Sequence, residues 1–458
     1  MQIENSEKRR ARIHTLGCRL NQAESRILED QLVASGYTLV RSEEAADLVI
    51  IHTCTVTLEA EAKCRKAIRQ AIRAQPKAFI AVIGCYSQTG AKAIAAIPGV
   101  DLIIGNEDKM NVLLHARGGK NPHPVILRDR ISRDDFRIET VGDRPFPKRA
   151  NLKVQDGCDF VCSFCIIPFA RGRARSRDWE NLLEEARSAV QRGVRELILT
   201  GVNIGTFRQG ARDVVDVVDA LHELPGIDRV RISSIEPTTV PEGLLDRMAD
   251  PDHALMPYLH LPLQSGSDPV LTAMRRRYTR AEYAEFVSIA VDRVPDLCLG
   301  TDILVGSPEE DADAFIETVE FFEEQPFTYA HVFPYSERPG TLAVKKGGFA
   351  SMEERQRRVQ ILRRRSAIKL RKFQAAHLGQ ELEVLLEDPR EGRWPGLTRN
   401  YVRVVVDGPP NLDLRNRLAR VRLDQIAADY VEGTLMEWDS GVSKSHFRNA
   451  PKGCAALA

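Results

Sequence analysis

Between residues 151 and 335, short apolar runs alternate with stretches of helical spacing, and this alternation restricts the fold more than any other feature of the chain. The pattern predicts strands at 151–155, 194–200, 228–232, 258–261, 297–303 and 327–335. Helices are predicted between them at 178–192, 213–223, 240–250, 268–293 and 308–325. A helix between two strands returns the chain to the same end of the sheet, so the strands pair in parallel and need cover. Six strands are two short of a closed eightfold barrel, which predicts an open, partial (βα)6 barrel.

The first 120 residues repeat this logic on a smaller scale. The runs ArgIleHisThrLeuGly, AspLeuValIleIleHisThr and AlaPheIleAlaValIleGly lead into Cys18, Cys54 and Cys85, and helical spacing resumes near Asn21, Thr57 and Thr89. The fold class is therefore α/β, with an amino-terminal parallel sheet covered on both faces. The carboxyl ends of such strands line one crevice, so the three cysteines are expected to converge there. Residues 117–150, rich in Gly and Pro, read as a linker or irregular strand. Residues 352–376 read as one long basic helix, and 379–438 as a small all-β barrel or sandwich. The tail after 440 is polar and expected to be loose. The expected domains are 10–120, 144–376 and 377–440.

Composition narrows the setting. The chain's 458 residues are 43% hydrophobic, enough for real cores, and 65 Lys+Arg against 64 Asp+Glu leave a net charge of +1. That balance gives no global pull toward polyanions, so any nucleic-acid contact must come from a local patch. No apolar stretch approaches the ~18 residues of a membrane span, and the charged amino terminus has no apolar core behind it. The expectation is a cytoplasmic protein with no membrane partner. Nine cysteines in a reducing compartment point to ligands or reactive groups rather than disulfides.

GlyCysAspPheValCysSerPheCys places Cys158, Cys162 and Cys165 directly behind the first barrel strand. A zinc site wants four protein ligands, and this cluster offers three. Three thiolates suit a four-iron cluster with one iron left open to a small-molecule chelator; a zinc knuckle completed by a distant ligand is the alternative. Cys18, Cys54 or Cys85 alone would read as a buried small hydrophobe. Together at successive strand ends they form a second ligand set, with Asn21 and Thr53 placed to hydrogen-bond sulfur. Cys64, Cys298 and Cys454 carry no ligand pattern.

The three-cysteine loop resembles that of the radical S-adenosylmethionine (SAM) superfamily. In that superfamily the open iron chelates the methionine moiety of SAM, and one electron releases a 5′-deoxyadenosyl radical. Two cysteine trios with a terminal β module resemble the methylthiotransferases over nearly the whole chain. Supporting segments stand in order: LeuThrGlyValAsnIleGly (199–205), IleSerSerIleGluPro (232–237), HisLeuProLeuGlnSerGlySer (260–267), ThrAspIleLeuValGly (301–306) and HisValPheProTyrSerGluArgProGlyThr (331–341). Residues 379–438 resemble the family's RNA-binding TRAM barrel. GlyCysArgLeuAsnGlnAlaGluSer (17–25), HisThrCysThrValThr (52–57) and ValGlnAspGlyCys (154–158) are similar to the branch acting on N6-threonylcarbamoyladenosine beside the tRNA anticodon. Phe169 and Ser307 depart from the family's usual Tyr and Phe at these places.

The resemblance implies two 4Fe-4S clusters, SAM, the tRNA anticodon loop as partner, and external electron and sulfur donors. Cys158, Cys162 and Cys165 would hold the SAM-binding cluster, and Cys18, Cys54 and Cys85 the auxiliary one. An unactivated aromatic C–H bond demands radical chemistry, since acid–base groups cannot readily break it. Glu236, Gln264 and Asp302, near strand ends at the barrel mouth, are candidates for binding SAM. Arg171, Arg173, Arg175 and Arg177 alternate behind the cluster loop and are candidates for gripping anticodon-loop phosphates, as is the basic helix. The terminal module holds eight Arg against eleven Asp or Glu, so RNA contact there would depend on a local face including Arg399, Tyr401 and Arg403. Alternative targets are isopentenyladenosine or a ribosomal-protein aspartate. The alternative of another class is a non-catalytic RNA-binding protein that uses metal as a staple.

Overall fold

The computed structural model describes residues 9–41, 43–116, 119–139, 149–409 and 412–439. The tail, Cys454 and the GlyAspArgProPheProLys segment lie outside these residues.

Val/Ile-rich strands buried on both faces build the first unit. Its six parallel strands stand in the order Thr38–Leu39, Arg10–Thr15, Leu48–Thr53, Phe79–Gly84, Leu102–Ile104 and Val125–Leu127. The two central strands are buried at every residue, and separate hydrophobic clusters fill the two faces. Helices Arg19–Ala34, Leu58–Ala74 and Cys85–Ala95 follow the cysteine-bearing strands. The third begins at Cys85 itself rather than near Thr89, because Gly84 at φ +99° turns the strand straight into the helix. Within 119–139 the chain takes the strand alternative. Val125–Leu127 extends the sheet, and Phe136 pairs with Arg177 of the next unit.

The second unit forms the expected arc of six parallel strands, divided into two sheets. Arg149–Lys153, Glu196–Thr200 and Arg229–Ile232 make one, and Tyr258–His260, Cys298–Val305 and Tyr329–Pro334 the other. Between them the pairing thins to one bridge, Val230 with Leu255, in which Val230 N donates to Ala254 O at 2.8 Å and Met256 N to Val230 O at 2.9 Å. A single apolar core runs under both sheets, so the arc is one unit despite the gap. The helix expected at 268–293 is two, Asp268–Ala273 and Arg280–Arg293. Arg275 at φ +58° breaks the first, and a Thr279/Glu282 capping box starts the second.

Helix Met352–Ala375 then leads to a closed five-stranded barrel, ordered Glu381–Leu386, Arg393–Thr398, Arg403–Asp407, Val431–Trp438 and Leu418–Ile426. Closure leaves no exposed sheet edge. Buried arginines of the arc anchor this barrel: Arg229 pairs with Glu383 at 2.9 Å and donates to Leu397 O at 2.7 Å. No helix among the described residues is long and apolar enough to cross a membrane.

Candidate active site

The parallel topology delivers Cys18, Cys54 and Cys85 to the carboxyl edge of the first sheet. Cys54 directly follows strand Leu48–Thr53, Cys85 follows Phe79–Gly84, and Cys18 caps the helix after the edge-proximal strand. All three are free thiols, close enough for their charges to repel when ionised. Asn21 supports them from below: its amide donates to Leu16 O at 2.8 Å and Thr53 O at 3.1 Å, and its Oδ1 lies 3.8 Å from the Cys18 sulfur. Thr53 instead turns its hydroxyl to Ile83 O at 2.6 Å, so it ties two strands together rather than reaching sulfur. A residue not singled out by the sequence, Asn106, donates to the Cys85 sulfur at 3.4 Å and to Ala170 O at 2.6 Å. Buried Cys64 lies under Cys54 and accepts from its backbone N–H at 3.4 Å.

The second trio occupies the loop behind strand Arg149–Lys153. Gly157 makes the loop possible: it sits at φ +69°, and a Cβ there would lie 1.9 Å from Arg173 O. Gln155 pins the same turn, donating to Gly157 O at 2.8 Å while its Oε1 accepts from Val202 and Asn203 N–H at 2.8 and 2.9 Å. The LeuThrGlyValAsnIleGly segment is thereby hydrogen-bonded to the loop. Arg276, from the break in the predicted long helix, donates to the Cys162 sulfur at 3.4 Å and pairs with Glu236. Sequence spacing carried no signal for it.

Burial pushes the thiols up, Cys54 and Cys165 to about 12 and Cys158 to about 11. Such thiols are protonated at neutral pH and lose their protons to solvent when a metal binds. The donor set, three soft thiols per site, is that of an iron–sulfur cluster. Among the described residues no three His, Cys, Asp or Glu side chains converge as a single-ion site requires. A cube differs in taking each thiolate on a separate iron.

A buried ion network joins the two trios. Arg171, six residues past Cys165 and the last residue of the short helix Ile167–Arg171, is 1% exposed. It donates to Asp156 Oδ1 at 2.9 Å, to Asn21 Oδ1 at 2.7 Å and to both Glu24 oxygens at 3.2 Å. Lys153 bridges Glu24 and Asp156 at 2.7 and 2.6 Å, and Lys109 reaches Glu24 at 2.6 Å. Three cations thus face two carboxylates. Burial opposes ionisation of Glu24, but Arg171, Lys109 and Lys153 outweigh it and hold its pKa far below the ordinary value. His52, pushed down to about 4 by burial, stays neutral beside them. The surplus positive charge lies beside Cys18 and Cys85, complementing the negative charge of thiolates there.

This placement corrects the reading of the arginine run. Arg171 and Arg177 are buried in ion pairs, with Glu24/Asp156 and with Glu185, so neither is free for phosphate. Arg173 is half-exposed, 3.5 Å from Asp159. On the basic helix Arg355 and Arg358 are likewise buried against Glu337 and Glu310, while Arg357, Arg364, Arg371 and Lys372 are exposed.

A cavity of about 1070 Å³ opens where the three units meet. Cys18 and Cys54 line it, as do Thr200, Ser233, His260 and Asp302 from the carboxyl ends of the arc and Tyr401 from the terminal barrel. Asp302 pairs with His260 at 3.0 Å. Gln264, at φ +70°, donates its backbone N–H to Asp302 O at 2.8 Å. Glu236 is taken up by Arg276 on the cluster-loop side. Arg399 turns to His253 O at 2.9 Å, on the loop entering strand Tyr258–His260. Tyr401 packs its ring against Tyr258 at a tilt of 44°, with centroids 4.5 Å apart.

A partial parallel barrel with a three-cysteine loop behind its first strand defines a radical SAM enzyme. Comparison with known proteins agrees: residues 152–322 match the radical SAM superfamily, and residues 10–105 match the uncharacterized protein family UPF0004. The chain is 34% identical to the threonylcarbamoyladenosine tRNA methylthiotransferase MtaB of Bacillus subtilis, over 95% of this chain and 98% of that protein. It is 36% identical to the MtaB of Aquifex aeolicus (86% and 96% covered) and 32% identical to the tRNA-2-methylthio-N(6)-dimethylallyladenosine synthase of Jannaschia sp. (93% of each). The fold is also that of the radical SAM methyltransferase TsrM from Kitasatospora setae, with a TM-score of 0.50 at 14% identity, covering 74% of this chain and 77% of TsrM. The chain belongs to the radical SAM methylthiotransferase family.

Proposed function

We propose that the protein is a tRNA methylthiotransferase that places a methylthio group on carbon 2 of N6-threonylcarbamoyladenosine next to the anticodon. The relatives named for that reaction support the substrate. The observation that carries the reading is the shared cavity, which Cys18 and Cys54 line from one side and the carboxyl ends of the barrel strands from the other. Sulfur held by the first sheet would thereby face a substrate held over the barrel.

Cys158, Cys162 and Cys165 would hold the SAM-binding 4Fe-4S cluster, and Cys18, Cys54 and Cys85 the auxiliary one. When bound, the first supplies radical chemistry from SAM and the second the sulfur to be transferred. Arg276 orients Glu236 and holds Cys162, Asp302 and Gln264 shape the floor where SAM would lie, and Asn21 and Asn106 orient Cys18 and Cys85. Arg173, Tyr401, Arg403 and the exposed arginines of the long helix would meet the anticodon loop. Electrons and replacement sulfur would come from external donors in the cytoplasm.

Nucleoside mass spectrometry of tRNA from a deletion strain tests this. The 2-methylthio derivative of threonylcarbamoyladenosine is expected to vanish while its precursor accumulates, and the gene on a plasmid restores it. Loss of the isopentenyladenosine derivative instead, or unchanged tRNA with an altered ribosomal protein, contradicts the substrate.

A further inference from the structure

Arg19 presents an unused donor to the cavity. It follows Cys18 directly, as the first residue of helix Arg19–Ala34, and reaches across to the terminal barrel, where its Nη2 donates to the Tyr401 hydroxyl at 2.9 Å. Its Nη1 is buried and has no hydrogen-bond partner, although the residue lines the cavity. An unsatisfied buried donor of this kind is costly, more so when charged, so it marks a place for a missing acceptor. Neither carboxylate of the wall supplies one: Asp302 is engaged by His260, and Asp429 makes no bond to Arg19.

Tyr401 is held in place for this task at some expense. It adopts φ +69°, a strained conformation for a non-glycine residue, and is clamped by the Tyr258 ring and by Arg231 stacked 4.8 Å from its centroid. Burial raises the pKa of its phenol, yet Arg19, Arg149 and Arg231 outweigh burial and bring it below its ordinary value. Arg149 and Arg231 are themselves paired with Glu196, whereas Arg19 has no carboxylate partner among the described residues.

Resting on the substrate reading above, the geometry points to Arg19 as the residue that selects an anionic N6 substituent, its guanidinium taking the carboxylate of the threonylcarbamoyl group. Position and chemistry agree. The N6 substituent and carbon 2 flank the same edge of the adenine ring, so a base presenting carbon 2 to sulfur at Cys18 and Cys54 brings its substituent to the neighbouring residue. A planar fork suits a carboxylate, and an apolar dimethylallyl group would leave the same donor buried and unpaired.

The test uses anaerobically reconstituted full-length protein and anticodon stem-loop RNAs that differ only at the modified base, which carries either the free threonyl acid or its methyl ester. Binding is read by fluorescence anisotropy and turnover by product formation. Wild-type protein is expected to prefer the acid about ten- to hundredfold. Arg19→Gln brings that ratio to about one by weakening the acid alone; Arg19→Lys restores part of it, since it keeps the charge and loses the fork. Tyr401→Phe, which removes the hydroxyl that holds Arg19, lowers the ratio as well. Equal weakening of both RNAs by Arg19→Gln indicates a backbone phosphate contact and overturns the proposal, as does wild-type protein with no acid preference. Iron content accompanies each variant; if Arg19→Gln fails to hold iron, the acid–ester ratio of wild type and of Tyr401→Phe decides. A wild-type enzyme that methylthiolates only isopentenyladenosine RNA overturns the substrate reading itself, an outcome distinct from loss of the Arg19 effect alone.

Discussion

Cys54→Ala and Cys162→Ala will each lower the iron content from about eight to about four atoms per chain, and the two variants will fail in different ways. Cys162 belongs to the loop behind the first barrel strand, so its loss should reduce SAM cleavage to background. Cys54 belongs to the first sheet, which the cleavage chemistry does not need. Cys54→Ala should therefore still cleave SAM at a rate near wild type while forming no methylthiolated product. Anaerobic assays that quantify 5′-deoxyadenosine and modified nucleoside in the same reaction read both. The split follows from topology: the trios stand on separate sheets with separate hydrophobic cores. If Cys54→Ala abolished SAM cleavage as completely as Cys162→Ala, the two sites would not be separate centres.

Arg171→Met should destabilise the protein by about 3–5 kcal/mol, the usual result of removing one partner from a buried ion pair. The substitution keeps the length of the side chain and deletes the cation that satisfies Asp156, Glu24 and Asn21 together. Lys153 and Lys109 remain to hold Glu24, so the network is weakened rather than emptied. The effect should reach both sites, because Arg171 hangs from the helix after the cluster loop and bonds the Asn21 that supports Cys18. Chemical denaturation of the apo protein measures the loss, and iron binding at each trio reports its spread. A change within about 0.5 kcal/mol, the range of ordinary surface substitutions, would mean the network is not the joint between the domains.

The strands of both α/β units were readable because burial on two faces leaves uninterrupted Val/Ile runs, and the cysteines were readable because parallel topology gathers strand ends. The helix at 268–293 was misjudged at its centre, where apolar spacing continues through Met274 although Arg275 turns left-handed. The Thr279/Glu282 pair was the legible signal of a new start. Arg171 misled for a different reason. A charged residue reads as solvent-facing unless its counter-ions are known, and here they come from Glu24, 147 positions away. That partner did leave a trace: Asn21, Glu24 and Ser25 form a polar stripe at helical spacing on a face that packs inward. Arg276 and Asn106 left none, since each reaches sulfur from a segment remote in sequence.

The central claim is that six thiols hold two separate iron centres, one at the edge of the first sheet and one in the loop behind the first barrel strand. Diffraction from anaerobically reconstituted crystals, collected at the iron absorption edge, tests it most directly. Two anomalous peaks are expected, one among Cys18, Cys54 and Cys85 and one among Cys158, Cys162 and Cys165. A single iron peak, or signal at the zinc edge in either place, would contradict it.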